Sequence, residues 1–173
     1  YVGEVNGETI SAQDFQALVE EYTEVVKFSS GLNALSDEQT NQIKDEVWRA
    51  YVNNKLIENE AEKLGLTVSK AELQAIIDAG VHPMLQQTPF RNPQTGAFDK
   101  DMLKKFLVDY SKMNKAQMPA QYAEYYNSMY NFWSFVEKSL IQARLQEKYQ
   151  ALITKSLFSN PVEAEDAFNA RVD

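Results

Sequence analysis

Cysteine is absent from the 173 residues and histidine occurs once, at position 82. The first absence removes disulfides, thiolate nucleophiles and any cysteine-based zinc site. The second leaves a lone His82 beside Pro83, without a cysteine partner, which reads as a structural or solvated loop histidine. Metal-ligand spacings, glycine-rich phosphate loops and nucleophile elbows are missing as well, so no catalytic residue, metal site or cofactor is expected. With only 6 glycines and 5 prolines, collagen-like and low-complexity chains are excluded. No apolar run approaches the roughly 20 residues that span a bilayer, and no basic-then-apolar leader precedes Tyr1. A signal or anchor belonging to the parent protein is expected to lie before that residue. Positive charge is in short supply too: the net charge of −8 repels a phosphate backbone, and nucleic acid is not an expected partner.

That charge is unevenly spread. Residues 1–62 hold 13 acidic and 4 basic side chains, whereas residues 63–173 hold 12 and 13. The plain reading of the acidic half is a solvated face that maintains solubility, weighed against a docking surface for a basic partner.

What is present is helix former in long periodic stretches. Val2–Val5 and Glu8–Ile10 flank Asn6-Gly7, the dipeptide of a tight hairpin turn, and so short a ribbon is expected to borrow a third strand. Ser11 with Asp14, Ser36 with Gln39, and Ser69 with Glu72 mark three helix starts, which run to Gly31, Gly65 and Gly80. Between His82 and Phe98, prolines interleave with Met84, Leu85 and Phe90 in an ordered loop with apolar anchors. Asp99 caps a fourth helix to Tyr110. From Pro119 to about Phe158 no breaker appears, and at 1.5 Å per residue this helix would span roughly 60 Å, beyond the width of a compact domain of this size. Asn160-Pro161 starts a sixth helix. The expected fold is therefore all-α: an irregular bundle of about six helices, one very long, with a short N-terminal β-hairpin.

Tyr122, Tyr125, Tyr126, Tyr130, Phe132, Trp133 and Phe135 fall within fourteen residues and cannot share one helical face. Most belong to the core; Trp133, in phase with Met129 and Val136, is expected to pack on the Phe15/Leu18 or Val47/Tyr51 stripes. The remainder are free to line a groove. Flexible methionine suits varied apolar partners. The candidate polypeptide-binding residues are accordingly Met84, Leu85, Phe90, Tyr125, Tyr130 and Phe132.

The order of motifs resembles a known family. Val5-Asn6-Gly7-Glu8-Thr9-Ile10-Ser11 followed by Phe15 is similar to the opening of SurA/PpiD-type N-terminal chaperone domains. Val52-Asn53-Asn54-Lys55-Leu56-Ile57, Glu60-Ala61-Glu62-Lys63-Leu64-Gly65-Leu66-Thr67-Val68-Ser69 and Gly96-Ala97-Phe98-Asp99 resemble its second helix, its exit and a later turn. The Tyr125–Phe135 cluster is richer in aromatics than that pattern, and Asn160-Pro161 replaces a Val-Ser entry. The resemblance implies a periplasmic, non-catalytic holdase domain over residues 1–158. It further implies that residues 159–173 start a linker helix toward a parvulin-type prolyl isomerase domain of the parent. Its partners would be unfolded or extended polypeptides. The competing expectation is a scaffold or adaptor with one specific partner. The long helix, left without a full cover, also raises the expectation of a helix-exchanged homodimer, or else of a bend near Ser139.

Overall fold

The computed structural model describes residues 3–5 and 7–158. In chain order these form strands β1 (Gly3–Val5) and β2 (Glu8–Ile10), then helices α1 (Ala12–Ser30), α2 (Asp37–Lys63), α3 (Lys70–Ala79), α4 (Lys100–Lys112) and α5 (Ala120–Phe158). The fold is all-α with an N-terminal hairpin, as expected. Five α-helices are described rather than about six, because the one expected from Asn160 lies outside the described residues. None of them is long and apolar enough to cross a membrane.

Four helix starts are fixed by a side-chain oxygen that takes an otherwise unpaired backbone N–H. Ser11 accepts from Asp14, and Asp99 from Asp101 and Met102. Ser36 with Gln39, and Ser69 with Glu72, form reciprocal capping boxes. Gly31 and Gly80 end α1 and α3 at φ 72° and 68°, left-handed values that cost a residue without Cβ nothing. α5 opens on Pro119, whose carbonyl accepts from the Tyr122 and Ala123 amides.

The hairpin pairs Gly3 with Ile10 and Val5 with Glu8, and Gly7 takes φ 82° at the turn. Among the described residues it has two strands only. Within the described residues its cover comes from α2. The Trp48 ring lies so close to Gly3 that a Cβ there would come within 2.0 Å of it, and Val5 and Ile10 are buried. Trp48 is itself stacked on Tyr51 and meets Phe15 edge-on, so the indole plane supplies the apolar cover that a two-stranded ribbon lacks.

The core divides in two. The smaller cluster centres on Val19, Ile43 and Val47, with Phe15, Leu18 and Tyr22 around it, and joins α1 to α2. The larger draws Val25 from α1, Ile77 from α3, Leu85 and Phe90 from the following loop, Leu103 and Phe106 from α4, and Phe132, Trp133, Val136 and Leu140 from α5. The loop between α3 and α4 is ordered by its own polar groups. Gln86 donates to the Gly80 carbonyl and accepts from the Phe98 amide, while His82 Nδ1 accepts from the Met84 amide. Trp133 is buried at 3% exposure, but not against the stripes expected for it. It belongs to the larger cluster, with Phe90 edge-on at 6.3 Å. The apolar loop, whose position no helical period announces, brings Phe90 to it, and α1 meets the same cluster through Val25 rather than through Phe15 or Leu18.

α5 runs unbroken for 39 residues. Its buried side chains end at Leu145; Ile153, Leu157 and Phe158 are exposed. Beyond the apolar contacts it is tied to α3 by charge. Lys148 Nζ lies 2.9 Å from Glu72 and donates to the Thr67 carbonyl, and Arg144 reaches Glu72 at 3.4 Å. The Lys148 hydrogen bond, followed by the backbone N–H of Ser69, holds the Glu72 carboxyl below the usual glutamate range.

Two predictions follow from this packing. Replacing Trp133 with alanine should cost about 3–5 kcal/mol in urea unfolding; a loss below about 1 kcal/mol would contradict its burial. Because the folded Glu72 pKa is lowered, its stabilisation is present above the ordinary glutamate range and lost as pH falls through the folded value. Glu72→Gln should therefore lose less stability than the unsubstituted chain as pH falls through and below the ordinary glutamate range, and identical pH profiles would refute the assignment.

Candidate functional site

α1, α2 and α5 do not close on one another along their full length. Between them lies a cleft of about 680 Å³, the volume of a small-molecule pocket or of several side chains in a row. Leu18, Val47, Ala50, Tyr51, Phe135 and Ala143 supply its apolar surface, and Met84 reaches it from the α3–α4 loop. A smaller hollow of about 250 Å³ shares Tyr22, Met84, Phe135 and Ser139 with it.

Polar groups tie the walls together. Lys138 on α5 contacts Glu21 on α1 at 2.6 and 2.8 Å. Tyr22 on α1 donates to Glu46 on α2 at 3.0 Å; burial first, and this carboxylate second, raise the phenol's pKa. Gln142 on α5 donates through Nε2 to Glu58 on α2 at 2.7 Å, and Asn53 approaches Gln146 at 3.5 Å. Gln142 Oε1 is buried, with no hydrogen-bond partner among the described residues. Turning the amide over would set that oxygen against the Glu58 carboxylate, so it keeps an unused acceptor at the cleft wall.

Of the six residues singled out from the sequence, Met84, Leu85, Phe90 and Phe132 meet in or against the larger cluster, and Tyr125 and Tyr130 are not part of it. Leu85, Phe90 and Phe132, at 0%, 3% and 5% exposure, are core. Their side chains belong to the larger cluster, and Phe132 also lines the smaller hollow. Met84 lines the cleft. Tyr125 and Tyr130 are exposed, Tyr130 stacked on Tyr110 at 4.4 Å and Tyr125 beside Phe28 at 6.1 Å, but neither lines either hollow.

The wall residues were missed as a group, although a signal exists. Val47, Tyr51, Asn54 and Glu58 on α2, and Phe135, Ser139, Gln142 and Gln146 on α5, each recur at helical spacing and pass from apolar to polar along one face. A face that turns polar without turning away from its neighbour marks a place where two helices separate. No group of His, Cys, Asp or Glu among the described residues is arranged to hold a metal.

Fold and cleft together define an all-helical domain with an N-terminal hairpin and an open recess floored by apolar side chains. The sequence profile of the SurA-like N-terminal domain matches residues 1–107, and the chain belongs to that family. It is a family of chaperone-like folding-factor domains associated with periplasmic proteins. No match was found among curated proteins or among solved structures. The matched region covers the hairpin, α1 to α3 and α4 as far as Leu107; the α5 wall of the cleft lies beyond it.

Proposed function

We propose that the chain is a holdase domain that takes an extended, non-native polypeptide segment into the α1–α2–α5 cleft. The observation that supports this is the composition of the cleft: an apolar surface bordered by the amides of Asn54, Gln142 and Gln146. Apolar side chains of an unfolded chain are drawn to such a surface whatever their identity. Side-chain amides both donate and accept, so they can pair with any peptide backbone. The parent is proposed to be a periplasmic parvulin-type prolyl isomerase. Residues 1–158 would be its chaperone region and residues 159–173 its connection to the isomerase domain.

The domain should suppress the aggregation of an outer-membrane β-barrel protein diluted from urea, read by light scattering. Ala143→Trp, which fills the cleft from α5, should weaken client binding by at least about tenfold with an unchanged helical circular dichroism spectrum. No suppression, together with one tight stoichiometric complex, would favour an adaptor with a single partner.

The exposed Ile153, Leu157 and Phe158 support a second reading, in which two copies exchange or pair the distal part of α5. Multi-angle light scattering over a hundredfold range of concentration should then show a rise from 19.8 kDa toward twice that mass. A constant monomer mass would refute it.

A further inference from the structure

The cleft also carries a charge pattern, and we infer that the segment it takes is an apolar one flanked by lysine or arginine rather than by acidic residues. This rests on the polypeptide-binding reading above and adds the charge of the occupant.

Three carboxylates line the cleft, Glu21, Glu46 and Glu58, against two ammonium groups, Lys55 and Lys138. Both cations are already engaged. Lys138 sits 2.6 Å from Glu21, and Lys55 is shared between Glu58 at 3.9 Å and Glu8 of the hairpin at 3.6 Å. Farther along α5, Arg144 and Lys148 are held on Glu72. Glu46 is different: among the described residues its partner is the neutral Tyr22 hydroxyl, so its charge is hydrogen-bonded but not balanced. Glu58 accepts from the neutral Gln142 amide, and its charge is met only by the distant half of one shared lysine. Behind these groups, α1 and α2 come from the acidic part of the chain, residues 1–62, with 13 acidic and 4 basic side chains.

An incoming lysine or arginine would meet Glu46 and Glu58 without breaking an existing ion pair. An incoming carboxylate would have to displace one, and would approach through a negative field. The acidic half is then more than a solubility device: where it borders an apolar floor it selects among apolar segments.

Fluorescence anisotropy with two labelled peptides tests this. They share one core of alternating leucine, phenylalanine and serine, and differ in flanking lysines or glutamates. At about 20 mM salt the lysine-flanked peptide should bind roughly fivefold more tightly, and at about 300 mM the difference should fall below about twofold as screening sets in. The double substitution Glu46→Gln and Glu58→Gln should shrink the low-salt preference, and Ala143→Trp should weaken both peptides alike. Equal affinities, a preference for the acidic peptide, or a preference indifferent to salt would overturn the charge assignment and leave the holdase reading standing. Failure of both peptides to bind the unsubstituted domain would sink the two together. The salt dependence needs no variant, so it decides the matter even if the double substitution perturbs folding.

Discussion

α5 is longer than anything available to cover it. Its 39 residues reach about 58 Å at the α-helical rise, whereas the 19 residues of α1 and the 27 of α2 reach about 28 and 40 Å. Shorter helices packed against it must choose which part of its apolar stripe to bury. They choose the middle: Phe132 to Leu145 are covered by α1, α3, the apolar loop and α4, while Ile153, Leu157 and Phe158 stay in contact with solvent. On either side of Leu145 the contact with α3 is made by Arg144 and Lys148 on Glu72, a half-buried charge cluster that fixes direction more than it adds stability.

The cleft follows from the same mismatch. α1 belongs to both hydrophobic clusters, through Val19 in one and Val25 in the other, but α2 contributes buried residues only to the first of these and α5 only to the second. The Tyr22–Phe135 ring pair, 5.5 Å apart, is where the two clusters touch. Away from it, α2 and α5 are also joined by the polar pairs Gln142–Glu58 and Asn53–Gln146. Exposed polar contacts of this kind are each worth little, about 1 kcal/mol or less.

How much of this could be read in the sequence divides along local and non-local lines. Helix starts at Ser11, Ser36, Ser69 and Asp99 were legible because a cap acts within four residues, and the stops at Gly31 and Gly80 because a left-handed backbone narrows the choice of residue. The length of α5 was legible from the lack of breakers. Partner choice was not: helical period shows that Trp133 faces inward, but not that a proline-rich loop will carry Phe90 to meet it. The same loop accounts for the burial of Leu85 and Phe90, apolar anchors in the sequence that the larger cluster takes into its core. The cleft was the least legible feature, because Leu18, Val47, Met84 and Phe135 come from four separate segments. The mixed polarity of the α2 and α5 faces is its only sequence-level trace.

The region that matches the family profile ends at Leu107, inside α4, while Phe135, Lys138, Gln142 and Ala143 stand on α5. Capping boxes, hairpin and the α1–α2 cluster therefore belong to the shared part, and one wall of the proposed binding site does not. The two walls also differ in character. α1 and α2 bring Glu21, Glu46 and Glu58, and α5 brings Lys138, two glutamines and an alanine small enough to leave space. A single change at Ala143 or Lys138 alters the volume or the charge of the cleft without touching a cap or either core cluster. Under the proposed holdase function, Ala143 and Lys138 are the wall positions through which the occupant of the cleft could change while the hairpin, the caps and both core clusters stay as they are.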